Sequence, residues 1–134
     1  MGVRRSALEA VGGFDETWNA AGDDIDLSWR TQLAGFQIGY AEDAVVQYRH
    51  RSDLGNIFHR AHRFLLAESR MHRLYRHEGA RWRGPRAAVR SWVAVVLMIP
   101  KAFLGVKQRR QLAWTLGALT GRLRGSLRHR VLNL

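Results

Sequence analysis

Gly12-Gly13-Phe14-Asp15-Glu16, then Gly22-Asp23-Asp24-Ile25-Asp26-Leu27-Ser28-Trp29-Arg30, then Ala34-Gly35-Phe36-Gln37-Ile38, is the stretch on which the fold turns. Paired glycines close a helix, because glycine enters the left-handed conformation at no steric cost. The aspartates open the next one, with Asp23 placed as N-cap. Ile25, Trp29 and Leu33 recur every four residues, which predicts one buried face ending at Gly35. Phe36 to Tyr40 then alternates apolar with small or polar residues, Glu42-Asp43 reads as a turn, and Ala44 to Tyr48 reads as a second strand. The predicted class is α/β.

Upstream, Ser6-Ala7-Leu8-Glu9 fits a capping box, in which hydroxyl and carboxylate satisfy each other's backbone donors at a helix start. Downstream, Ile57, Phe58, Ala61, Phe64, Leu65, Met71 and Leu74 recur at three- and four-residue spacing, which predicts a long helix from about Leu54 to Tyr75. Gly79 to Pro85 reads as a linker. Ala87 to Val106, interrupted near Pro100, and Gln108 to Leu119 read as further helices, trailing into a basic tail from Gly121 to Leu134.

The chain has 134 residues and 15.3 kDa, enough for one domain with its own core. No cysteine is present, which excludes a disulfide framework, a thiolate metal site and a cysteine nucleophile. Met1 to Glu16 holds no apolar stretch of signal-peptide length, so a cytoplasmic chain is expected. The apolar run from Trp92, even carried to Val106, falls short of the roughly 20 residues that span a bilayer. The net charge of +11 is uneven: all 11 acidic residues lie at or before Glu78, while residues 79–134 carry 12 of the 22 Lys/Arg and no acid. Such a segment attracts phosphate, whether of nucleic acid, anionic lipid or a phosphorylated carrier.

The order GGFDE, then G-D-D-I-D-L-S-W-R, then a glycine and a segment carrying Asp43-Ala44-Val45-Val46, resembles the family 2 glycosyltransferases over residues 1–51. The resemblance implies the C-terminal half of a GT-A-type domain, two strands with helices followed by a helical C-terminal region. It implies an inverting transfer in which Asp24 is the general base, with Asp23 standing where the family usually has glutamate. The physics agrees: one carboxylate must take the acceptor hydroxyl's proton as that oxygen attacks the anomeric carbon, and the helix dipole favours negative charge in a first turn. The plainer alternative is that these aspartates only cap a helix. Asp26 and Arg30 read as a structural i, i+4 pair.

The resemblance also puts Gly13, Phe14 and Asp15 beside the acceptor, with Asp23, and Trp18 offers a flat surface to a sugar ring. Trp29 is assigned to the core. A divalent metal, Mg or Mn, is implied for the complete enzyme, and its histidine ligand falls at His50, three residues after the usual position, which Gln47 occupies. Arg49 and Arg51 are candidates for neutralising the diphosphate leaving group, or are solvated surface charges. His59 and His62, three apart, read as surface histidines.

The implied partners are a nucleotide-sugar donor and a sugar, lipid-linked or polysaccharide acceptor. Nothing preceding Gly12 resembles a donor-binding half, so the chain is expected to be a fragment lacking that half, a split gene product whose partner is a separately encoded N-terminal half, or a misplaced start. The division expected is 1–53 for the catalytic-base half, 54–78 for a long helix packed on it, and 79–134 for a basic helical region. The rival reading is a basic membrane-surface or interaction module without catalysis, peripheral at the inner face of an anionic membrane. Trp92, Val96 and Ile99 share a helical face there, flanked by Arg90 and Lys101. Nucleic acid is disfavoured, because no recognised binding motif accompanies the charge.

Overall fold

The computed structural model describes residues 1–18, 21–48, 53–80 and 84–131. The chain divides into two compact units, Met1–His50 and Arg51–Leu134.

In the first unit α1 (Arg5–Ala10) packs on α2 (Asp23–Leu33). Both end alike. The amides of Gly12 and Gly13 donate to the carbonyls of Glu9 and Leu8, and those of Gly35 and Phe36 to the carbonyls of Gln32 and Thr31. These are Schellman pairs, and Gly12 (φ 73°) and Gly35 (φ 88°) take the left-handed position each one needs. The helix starts differ from expectation. Arg4 is the N-cap of α1 and makes no side-chain cap, while Glu9 accepts from Nε of Arg5 at 2.8 Å. Gly22, left-handed at φ 99°, is the N-cap of α2, so Asp23 is the first helical residue instead.

The buried face of α2 is also shifted. Leu27, Thr31 and Asp26 are buried, whereas Ile25 and Leu33 are exposed and Trp29 is partly so. The Ile25/Leu33 spacing lost to its neighbour, the side of Asp26, which pairs with the Arg30 that reaches back to the Val11 carbonyl at the end of α1.

No strand forms among the described residues, so the α/β, partial GT-A class with two strands is overturned. Residues 36–41 and 44–48 are irregular and, apart from the half-buried Phe36, exposed, with Tyr40 at 90% and Val45 at 81%. Period-two alternation makes a strand only where a neighbouring strand takes up its backbone groups, and two short segments alone are marginal at best. The turn at Glu42-Asp43 does form, closed by Ala44 N–H to Ala41 O at 3.2 Å.

The second unit is helical. α3 (Leu54–Tyr75) starts on Asp53, whose carboxylate accepts the Asn56 amide at 2.8 Å. It runs into a single 3₁₀ turn, Arg76–Glu78. α4 (Pro85–Met98) begins with proline at its first position, where no amide partner is needed, and stops before Pro100. A 3₁₀ elbow (Pro100–Leu104) then leads into α5 (Val106–His129). The expected basic tail is therefore mostly helix.

α3 and α5 make the core. A methyl group on Gly117 would run into the carbonyl oxygen of Phe58, one on Gly121 into that of His62, and one on Gly125 would lie 2.6 Å from Oγ of Ser69. The contacts advance together along both helices, so α3 and α5 run parallel at backbone-to-backbone range. Glycine every fourth residue keeps one side of α5 bare enough for this approach. Ala61 and Ser69, both fully buried, do the same on α3. α4 packs on α5 through Ala88 and Val95.

Candidate functional site

The turn after α1 and the first turn of α2 carry the expected acceptor-side residues. Asp24 is exposed at the second position of α2, its Oδ1 accepting the Ile25 amide at 2.9 Å and its carbonyl accepting Oγ–H of Ser28 at 2.7 Å. Asp23, beside it, is likewise exposed. Phe14 is half exposed, and Gly13 stands at φ 77° as the last residue of the Schellman pair.

Asp15 is occupied with its own loop. Its Oδ1 accepts both the amide of Thr17 at 2.9 Å and the hydroxyl of Thr17 at 2.6 Å, while its carbonyl accepts the Trp18 amide. This side-chain turn sets the path of the chain leaving Phe14. Trp18 is partly buried.

What joins the turn to α2 is Arg30. Its Nε donates to Oδ2 of Asp26 at 2.8 Å and its Nη1 to the carbonyl of Val11 at 2.7 Å. Asp26 is only 2% exposed, so the ion pair is largely shielded from water. A cation also lies where the C-terminal carbonyls of α1 concentrate negative potential. Sequence spacing identified the Arg30–Asp26 pair but missed the Val11 bond, because a contact nineteen residues back leaves no periodic trace.

His50, Arg49 and Arg51 lie outside the described residues. Among the described residues no group of three or more histidine or acidic side chains gathers to hold a metal. The described carboxylates of the first unit therefore do not by themselves fit Mg or Mn.

In the second unit His62 is not a plain surface histidine. Its Nδ1 lies 3.1 Å from Oγ1 of Thr120, its ring stacks on Phe58, and burial, followed by the Arg124 and His59 charges, lowers its pKa from 6.5. His59 is exposed. Across the same helix pair, Nη2 of Arg122 donates to the Glu68 carboxylate at 3.1 Å.

The model of the family described as Glycosyl transferase family group 2 matches residues 1–127. Two curated relatives, the pre-mycofactocin glycosyltransferases of Mycobacterium tuberculosis strains CDC 1551 / Oshkosh and ATCC 25618 / H37Rv, are each 47% identical over 51 residues. That match covers 38% of this chain and 11% of each relative, so it spans only a small part of their length. No solved structure gives a significant match.

Proposed function

The chain belongs to glycosyl transferase family group 2, and on that premise we propose that it takes part in an inverting transfer of a sugar from a nucleotide-sugar donor to an acceptor hydroxyl, with Asp24 as general base. The observation that carries this is the exposed Asp24 carboxylate at the start of an α2 anchored by Arg30 to the Gly12-Gly13 turn. In the step, the acceptor oxygen forms a bond to the anomeric carbon while the bond from that carbon to the nucleotide diphosphate breaks, and the hydroxyl proton passes to Asp24. Gly13, Phe14, Asp15, Asp23 and Trp18 form the acceptor side in this reading. Arg49 and Arg51 balance the charge of the departing diphosphate, and His50 is the candidate ligand should a divalent metal be required.

The site of action that follows is the cytoplasm, where nucleotide sugars are available. Pre-mycofactocin, the substrate in the relatives' name, is one acceptor to try, beside lipid-linked and polysaccharide acceptors.

The test is transfer of labelled sugar from a panel of nucleotide sugars, with and without Mg or Mn, by the protein completed with a donor-binding N-terminal half, with Asp24 intact and as Asp24→Asn. Asparagine keeps an oxygen for the Ile25 amide, so the fold is preserved while the base is lost. A fall of about 10² or more in turnover with donor binding unchanged is expected. Undiminished transfer by the Asn variant, or no transfer by the parent with any donor, would overturn the reading.

A further inference from the structure

Val89, Trp92, Val93 and Val96 follow one another at i, i+3, i+4 and i+7 on α4 and are all exposed. Their stripe is centred about a quarter turn round α4 from the buried Ala88 and Val95, with Trp92 at the border between the two. The elbow continues the apolar surface with Phe103 at 88% and Leu104 at 76% exposure, the barest large apolar side chains among the described residues of the second unit. Exposed cations border it: Arg90 on α4, Lys101 in the elbow, and Lys107 and Arg110 in the first turns of α5. No acidic residue follows Glu78.

We propose that the outer face of α4 and the Phe103–Leu104 elbow form a docking surface for an anionic lipid bilayer, with the elbow entering deepest and the cations resting among the lipid phosphates. A contiguous apolar surface of this extent needs a cover. A second copy of the chain is a poor cover, because it would set one ring of cations against another with no acid in either to offset them. Anionic lipid supplies both missing parts, hydrocarbon for the valines and aromatics and negative charge for the rim.

The helix lies along the surface instead of crossing it. Arg86–Leu104 is long and apolar enough to span by length and composition. Its continuous α-helix, however, ends at Met98, and Arg90 falls within it. Fourteen α-helical residues extend about 21 Å and the five 3₁₀ residues after them add about 10 Å, so the stretch matches the roughly 30 Å hydrocarbon layer only with Arg90 and Lys101 inside it and Pro100 interrupting its backbone hydrogen bonds.

The surface makes no use of Asp24, so its test reads without activity. The full chain is sedimented with vesicles of phosphatidylcholine alone and of phosphatidylcholine mixed with phosphatidylglycerol. Binding to the mixed vesicles is expected, about tenfold or more weaker on the neutral ones, and weakened again by salt. Val93→Asp with Val96→Asp, and separately Phe103→Asp, should each lower binding at least about tenfold while helical circular dichroism is unchanged, since all three side chains are exposed. Equal binding to neutral vesicles, or undiminished binding by both variants, overturns the proposal. So does a dimer in solution that the valine variant abolishes while vesicles go unbound, which assigns the face to a second copy. Resistance of the bound chain to alkaline carbonate also overturns it, in favour of a span.

Discussion

Nη1 of Arg30 donates to the carbonyl oxygen of Val11 at 2.7 Å, so the carbonyl of the residue that caps α1 is held by a side chain projecting from the last turn of α2. The same guanidinium pairs with Asp26, and together these bonds fix where the Gly12-Gly13 turn sits relative to Asp24.

Arg30→Met should therefore destabilise the first unit by about 2–4 kcal/mol, because it removes the cation from beside a buried carboxylate as well as the Val11 bond. Amide hydrogen exchange is the measurement: protection should fall across α1 and α2 and stay unchanged in α5. Arg30→Lys should recover only part of the loss, since one ammonium cannot reproduce the fork that reaches both acceptors.

Gly121→Ala separates helix propensity from packing. Alanine favours a helix by about 1 kcal/mol over glycine, yet here its methyl meets the His62 carbonyl. A net loss of about 1–3 kcal/mol is expected in urea unfolding. Gly55→Ala is the control. Its added methyl makes only an ordinary 3.5 Å contact with Asp53, so that variant should gain up to about 1 kcal/mol.

Arg122 and Glu68 form an ion pair across α3 and α5, with the arginine side chain 11% and the glutamate 41% exposed. The exposed half limits its worth, and a double-mutant cycle with Arg122→Met and Glu68→Gln should give a coupling of about 1 kcal/mol. Zero coupling would leave Arg122 as packing alone.

Acid should weaken the second unit. Burial is the main cause lowering the pKa of both His62 and His129, reinforced at His129 by Arg128, Arg70 and Arg73. Between the lowered native values and 6.5 the unfolded chain binds protons that the native rings refuse. Stability is thus full above 6.5 and is lost as pH falls through it. Thermal melts across this range should show the fall, and a His62→Gln/His129→Gln variant should show a shallower one.

The sequence was most legible where one local cause suffices. The glycine stops after α1 and α2 were read from residue type, and α3 was placed at its observed ends from its spacing. It was least legible where several segments must agree. The alternation at 36–40 and 44–48 carries no record of whether a partner strand is at hand, and the Ile25 face competed with the Leu27 face on equal local terms. One signal was present and missed: glycines at 117, 121 and 125 look like helix breakers singly, and only their common side on α5 shows them to be a packing surface. Of the candidate site, Asp24 lies in the first turn of α2 and Gly13 in the turn that closes α1, as expected, while Asp23 sits one place inside the helix it was expected to cap and the Arg30–Val11 bond required coordinates.

The parallel course of α3 and α5 also sets an order of events in folding. Partners such as Phe58 and Gly117 are separated by the whole α4 arm, so although each helix is built from local contacts, the unit must close a long loop before its glycine seam forms. On a ribosome α3 emerges well before its partner, and its bare Ala61–Ser69 side is protected only once α5 has been made nearly to its end.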